Sequence, residues 1–324
     1  GVVDEDAEGI TVRGAKMLGT GSIMANEVLF ANIQPLRPGE EKYAISFAIP
    51  MNTKGLKVMS RRSYEESATS SFDYPLSSRY DENDALVYCD DVKVPWERVF
   101  IYKDTEAARG QFQDTYAHYM QNYQAMTRLM IKMQFQVGVA RRMCETIGTI
   151  GIPSVAEKLG HMAAQAAMVE GLVYGMESGG GMFNGYYVPD RNLMYTAQVL
   201  TQQLYPEFIT SMRELAGGGL IMLPSSAEDF ADPDLNRYIN ATQKSAIGSA
   251  EEKVKFMKLA WDCIGSEFAS RHTQYEMFYA GAQFVTRSHA MRTYDWDRSA
   301  ELVDSILDKY SLSDTIGGDK IAAE

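Results

Sequence analysis

The sequence predicts an α+β chain, with an antiparallel β sandwich or barrel over residues 1–104 followed by a four-helix bundle over residues 105–324. Two observations lead there. Up to about Phe100, runs of about four to eight residues rich in Val, Ile, Tyr and Phe are separated by Gly, Pro and Asn-Asp signals, with no long helical pattern between them. From about Thr105 the apolar residues recur at three- and four-residue spacing in long segments.

The elements follow in order. "GVVDEDAEGITVRGAKMLGT" reads as strand, turn, strand, and "NEVLFANIQ", "KYAISFAIPM", "GLKVMSR", "DALVYCDDVKVP" and "RVFIY" continue the β pattern. The chain opens without Met and already inside this pattern, so an N-terminal portion is expected to precede it. The helical segments are "YQAMTRLMIKMQFQVGVARRMCETIG", "SVAEKLGHMAAQAAMVEGLVYGME", "NLMYTAQVLTQQLYPEFITSMRELAGG" and "AEEKVKFMKLAWDCIGSEFASRHTQYEMFY". Their stops are Gly148 and Gly151 before Pro153, Gly179 to Gly181, and Gly217 to Gly219. Most of the 19 methionines fall in these segments, where they read as flexible core filling. The Asp-rich stretch Ser225 to Tyr238 reads as a solvated loop, because it lacks the alternating acids and terminal Glu of a calcium loop. The first and third helical segments are apolar over more than one face, which predicts a homo-oligomer, a tetramer built by packing bundles.

Composition removes several function classes. With 31 Lys+Arg against 43 Asp+Glu the net charge is −12, and the densest basic run, Lys54 to Arg62, holds few cations, so nucleic acid is not an expected partner. No run approaches the roughly 18 apolar residues of a membrane span, and the acidic start is unlike a signal peptide, so a soluble cytoplasmic protein is expected. Cys89, Cys144 and Cys263 lie far apart and read as reduced thiols, neither a disulfide framework nor a metal site. No GxGxxG, P-loop, GxSxG or HExxH is present. His118, His161, His272 and His289 are scattered, each reading as an imidazole with one hydrogen bond, and no metal is expected.

Two stretches stand out. In "LGTGSIMANE", Gly19, Thr20, Gly21 and Ser22 either offer backbone N–H groups and hydroxyls to a ligand or serve only a β-turn. In "IGSEFASRHTQYEMFYAG", Glu267, Arg271, Gln274 and Tyr275 share one helical stripe, which one interhelical salt bridge would also explain.

"FDYPLSSRYDENDALVYCDDVKVPWERVFIY" (Phe72 to Tyr102), with "GAKMLGTGS", "FAIPMNTKGLKVMSRRSYE" and "WDCIGSEFASRHTQYEMFYAG", resembles the oxygenase components of the two-component 4-hydroxyphenylacetate 3-monooxygenase family. The resemblance implies an acyl-CoA-dehydrogenase-like arrangement of which this chain keeps the middle β domain and the C-terminal bundle. It implies FADH2 supplied by a separate flavin reductase, O2 as co-substrate, and ortho-hydroxylation of a para-substituted phenol in a dry crevice. On this resemblance the turn at Thr20 and Ser22 contacts flavin, as does the segment Tyr279, Ala280, Gly281, Ala282 and Gln283, where Gly281 would let backbone approach the cofactor. Asn32 and Ile33 correspond to a substrate-covering loop, and Arg128 resembles a helix-borne Arg that binds flavin phosphate in the wider superfamily. The family's groups around the phenol belong to the N-terminal domain, so no catalytic residue is assigned here. Two alternatives remain: a 4-hydroxybutyryl-CoA dehydratase-like enzyme, disfavoured because Cys144 and Cys263 have no His at helical spacing, and a non-catalytic oligomeric scaffold.

Overall fold

The computed structural model describes residues 1–313, so the end of the expected helical part, 314–324, lies outside the described residues. Strands β1 (Val2–Asp6), β2 (Gly9–Lys16), β3 (Glu27–Phe30), β4 (Ile45–Pro50), β5 (Leu56–Ser60), β6 (Ala85–Pro95) and β7 (Val99–Tyr102) form two antiparallel sheets, ordered β1-β2-β6-β5 and β3-β4-β7. Their alternating apolar residues meet in one core containing Ile10, Val12, Phe30, Phe47, Ile49, Val87, Val92 and Val94. Along β6 the alternation slips at Asp90 and Asp91, where the register against β2 jumps between Val12 and Gly14. The slip lets both Cys89 and Val92 face inward, and Arg13 holds the displaced Asp91 at 2.7 Å.

A short helix α1 (Ser77–Tyr80) lies between β5 and β6, and helices occupy the chain after β7. They are α2 (Thr105–Gln113), α3 (Ala117–Ile147), α4 (Pro153–Ser178), α5 (Arg191–Ala216), α6 (Pro233–Thr242), α7 (Ala250–Ile264), α8 (Glu267–Phe278), α9 (Gln283–Thr293) and α10 (Trp296–Leu307). A hairpin of β8 (Gly181–Phe183) and β9 (Tyr186–Val188) fills the break between α4 and α5. Methionines do fill the core, with Met126, Met133, Met143, Met162, Met176, Met194, Met212 and Met257 all fully buried. Among the described residues no helix is long and apolar enough to cross a membrane.

The structure departs from the sequence reading at three places. The segment expected as one helix from Ala250 to Tyr279 is broken between α7 and α8, where Gly265 and Ser266 both donate to the Trp261 carbonyl and Ser266 caps α8 through the Ala269 N–H. A side chain at Gly265 would begin 2.3 Å from the Trp261 ring, so that packing requires glycine. The Asp-rich stretch is not a loop throughout: Asp232 accepts from the backbone N–H groups of Asp234 and Leu235 and starts α6, using an acid at the positive end of a helix. Helices α9 and α10 follow α8, so α8 is not the last helix of the chain.

The segment 73–84 straps the sheets to α7 and α8 through three carboxylates, Asp73 and Asp262 buried and Asp84 partly buried. Asp73 pairs with Lys258 at 2.9 Å, Asp262 accepts from the backbone N–H groups of Leu76 and Ser77 at 2.8 and 2.7 Å, and Asp84 pairs with Arg271 at 2.7 Å.

Candidate functional site

The turn between α8 and α9 carries the expected Tyr279 to Gln283, and it is held from outside. Gly281 sits at φ +103°, where L side chains are strained. Buried Gln202, reaching over from α5, donates to the carbonyls of Met277 and Gly281 at 2.9 and 2.7 Å while its own carbonyl accepts from Thr286 at 2.9 Å. One amide therefore sets where α8 ends and α9 begins. Ala282 is the N-cap residue of α9 and Gln283 its first residue, with the Gln283 side-chain Oε1 accepting from Arg287.

This turn borders a cleft of about 730 Å³ between α2, α3, α5, α9 and the loop after β3. The cleft brings together four expected residues, Ile33, Tyr279, Ala280 and Gly281. Tyr279 stacks on Tyr275, with centroids 5.1 Å apart, and its buried hydroxyl has no hydrogen-bond partner. The other expected residues lie elsewhere. Asn32 lines a separate cavity of about 820 Å³ in the β region. The Thr20 hydroxyl donates to Asp84 at 2.7 Å, and Ser22 is buried with an unpartnered hydroxyl. Arg128 is inside the bundle, gripping Glu276 through both terminal nitrogens at 2.5 and 2.9 Å.

Around Arg128 the structure builds a dense ionic cluster. Glu276, 1% exposed, takes Arg128 and also Lys132 at 2.6 Å, and Lys132 approaches His272 Nδ1 at 3.1 Å. Burial alone would push the Glu276 carboxyl up, but hydrogen bonds from Arg128 and the charges of Lys132 and Arg128 outweigh it and hold the group ionised. The Arg128 guanidinium also lies over the Tyr275 ring, 4.8 Å from its centroid. The stripe of α8 therefore divides its tasks: Arg271 reaches the β region at Asp84 and Glu82, and Tyr275 supports the Arg128 cluster.

Asp84 joins Thr20, Arg61 and Arg271. Its burial raises its pKa, yet hydrogen bonds from Arg271, Thr20 and Arg61 overcome this and hold it well below the usual carboxylate range. A depressed folded-state pKa gives stability that is complete above the unfolded value of about 3.9 and lost as pH falls through the folded one. Asp84→Asn is therefore expected to lower the urea midpoint at pH 7, with the gap to the parent narrowing as pH falls below about 5; a gap independent of pH would show that the charge is not what matters.

The cleft's far wall was not legible in the sequence. His118 and Tyr119 of α3, Tyr195 of α5 and His289 of α9 pack as one cluster: the Tyr195 hydroxyl meets His118 Nδ1 at 3.1 Å, and the Tyr195 ring stacks on His289 at 4.8 Å and 9°. Burial and the neighbouring His289 lower the His118 pKa to about 4, so it is a neutral hydrogen-bonding group. Residues from three helices separated by more than 70 positions leave no local pattern. Among the described residues, no group of three or more His, Cys, Asp or Glu is placed to hold a metal ion.

Comparisons with known proteins agree with this fold. The family model for the C-terminal part of 4-hydroxyphenylacetate 3-hydroxylase matches residues 108–308, and that for its N-terminal part matches residues 1–101. The oxygenase component of 4-hydroxyphenylacetate 3-monooxygenase from Pseudomonas aeruginosa is 36% identical over 90% of this chain and 57% of its own length. A crystal structure of such an oxygenase component complexed with FAD and 4-hydroxyphenylacetate superposes with a TM-score of 0.89 at 34% identity, over 95% of this chain and 64% of that one. An acyl-CoA dehydrogenase from Geobacillus kaustophilus, 13% identical with a TM-score of 0.55 over 90% of this chain and 63% of that one, shares the fold alone. The chain thus spans about three fifths of the length of the relatives it matches. Its two parts follow one another as the two family models do, and the chain belongs to the 4-hydroxyphenylacetate 3-hydroxylase family.

Proposed function

We propose that this chain serves in the oxygenase component of a two-component flavin monooxygenase, which ortho-hydroxylates a para-substituted phenol such as 4-hydroxyphenylacetate to a catechol. FADH2 comes from a separate flavin reductase, and reduced flavin supplies the two electrons by which O2 gives one oxygen to the phenol and the other to water. The observation that carries this reading is the cleft into which Ile33, Tyr279, Ala280 and Gly281 converge. Its residues fit a flavin: the buried Tyr279 hydroxyl lacks a partner, the aromatic cluster of Tyr119, Tyr195 and His289 lines the same cleft, and the backbone at Gly281 is free of side chain where a ring edge would approach. In this reading Tyr279, Ala280, Gly281, Ala282 and Gln283 form the flavin-facing turn, and Ile33, with Asn32 beside it, covers the phenol. Thr20, bonded to the Asp84 that pairs with Arg271 of α8, and Ser22 of the same turn lie outside the cleft's own lining and are assigned to the β side of the flavin on the family resemblance. Arg128 acts by fixing Tyr275 and Tyr279, with its charge committed to Glu276.

Anaerobic titration tests the reading, since FADH2 is expected to bind more tightly than oxidised FAD or FMN. Absence of FADH2 binding, or equal binding of FMN, would overturn it. The working assembly is a cytoplasmic homotetramer of two-domain subunits divided near residue 104, with the exposed apolar residues Ile131, Phe135 and Leu200 of α3 and α5 meeting other copies. A monomer by light scattering at micromolar concentration would refute that assembly.

A further inference from the structure

The chain carries a formal charge of −12, yet the cleft is lined by Arg109, Arg191 and Arg292 and by no Asp or Glu among the described residues. Seven arginines elsewhere, Arg13, Arg61, Arg98, Arg128, Arg141, Arg237 and Arg271, make ion pairs, and others such as Arg62, Arg142 and Arg213 make none among the described residues, so what sets the cleft apart is three arginines gathered with no acid in its lining. Among the described residues the three cleft arginines make no ion pair. Two of them are docked on the aromatic wall: Arg191 donates to the Tyr119 hydroxyl at 3.4 Å, and Arg292 donates to His289 Nδ1 at 3.3 Å. Because Nδ1 accepts that bond, His289 is neutral there, and the guanidinium keeps further N–H groups for another partner. Arg191, Tyr119, Tyr195, His289 and Arg292 thus form one continuous run along the cleft, with cations at its ends and, between them, Tyr119 edge-on to Tyr195 and Tyr195 stacked on His289.

All three are exposed, so water screens their mutual repulsion, and an anion shared among them would gain charge-assisted hydrogen bonds from each. We propose that Arg109, Arg191 and Arg292 form a subsite for a multiply charged phosphate-type oxyanion, whose attached planar group lies along the Tyr119–Tyr195–His289 wall. The proposal rests on the flavin reading for its preferred ligand, and it assigns the flavin's pyrophosphate to these arginines, with Arg128 left to its structural pair. The same chemistry would serve a free nucleotide or pyrophosphate acting on the cleft.

Calorimetric titration of the chain with inorganic pyrophosphate, at fixed ionic strength, tests the site without any variant. Binding is expected, and it should weaken about tenfold in Arg191→Gln and again in Arg292→Gln, as loss of a charge-assisted hydrogen bond predicts. Arg237→Gln, a surface arginine paired with Asp234, should leave it unchanged. FADH2 should follow pyrophosphate through the series, whereas reduced riboflavin, which has the same ring and no phosphate, should not respond. Arg191→Lys and Arg292→Lys, which keep charge, guard against misfolding and should retain part of the affinity, with circular dichroism reporting the fold. Pyrophosphate binding without flavin binding would uphold the anion site, identify its source as a free phosphate compound, and remove the flavin reading. FADH2 binding that is indifferent to both glutamine variants would overturn the site and leave the flavin reading standing. Failure of pyrophosphate to bind the parent chain would also overturn it.

Discussion

Glu276→Gln is expected to destabilise the chain by about 3–5 kcal/mol, the usual effect of removing one partner from a buried ion pair. The magnitude follows from what remains. Arg128 and Lys132 share Glu276, a side chain 1% exposed, and no other carboxylate among the described residues pairs with either. Glutamine keeps the shape and the oxygen acceptor but not the charge, leaving two cations a few ångströms apart in the bundle. The loss should appear as a fall in the urea midpoint with little change in slope. A loss under about 1 kcal/mol would mean that water reaches the pair and that it behaves as a surface bridge.

Gly281→Val is expected to weaken FADH2 binding about tenfold to a hundredfold. An added Cβ meets nothing closer than 3.9 Å, at Val285, so crowding is not the cause. The cause is the backbone: a β-branched residue at φ +103° costs about 1–3 kcal/mol, and Gln202 holds the turn in that conformation by two hydrogen bonds. The variant either carries the strain or releases the turn from Gln202, and both move Tyr279 and Ala280 at the cleft's edge. Stopped-flow or equilibrium titration under anaerobic conditions reads the change. Unaltered affinity would show that the turn does not face the ligand.

What the sequence disclosed follows from the range of the interactions. Strand alternation, helical spacing and glycine stops are local, so the β region and the long helices were legible, whereas the segment Tyr279 to Gln283 was singled out only by the family resemblance. The break at Gly265 was hidden because the residue that requires it, Trp261, acts through side-chain packing and not through propensity. Arg128 read as a ligand group because its partner, Glu276, lies 148 residues away. The His118–Tyr195–His289 wall and the three unpaired arginines were hidden for the same reason, since only tertiary packing assembles them. The resemblance identified the family; it could not show which cations are already neutralised.

The strap at 73–84 has a consequence for how the chain reaches this structure. Its bonds to α7 and α8 join positions 185 to 189 apart, while the strands and helices they connect are held mainly by nearer neighbours. Closing a loop of that size costs about 5 kcal/mol of chain entropy before any bond forms, so such contacts are favoured only after both ends are ordered. Sheets and bundle can each collapse early, and the carboxylates of Asp73, Asp84 and Asp262 then find cations and amides already in place. The strap is expected to close after both regions have formed, which leaves that stretch open to proteases until then.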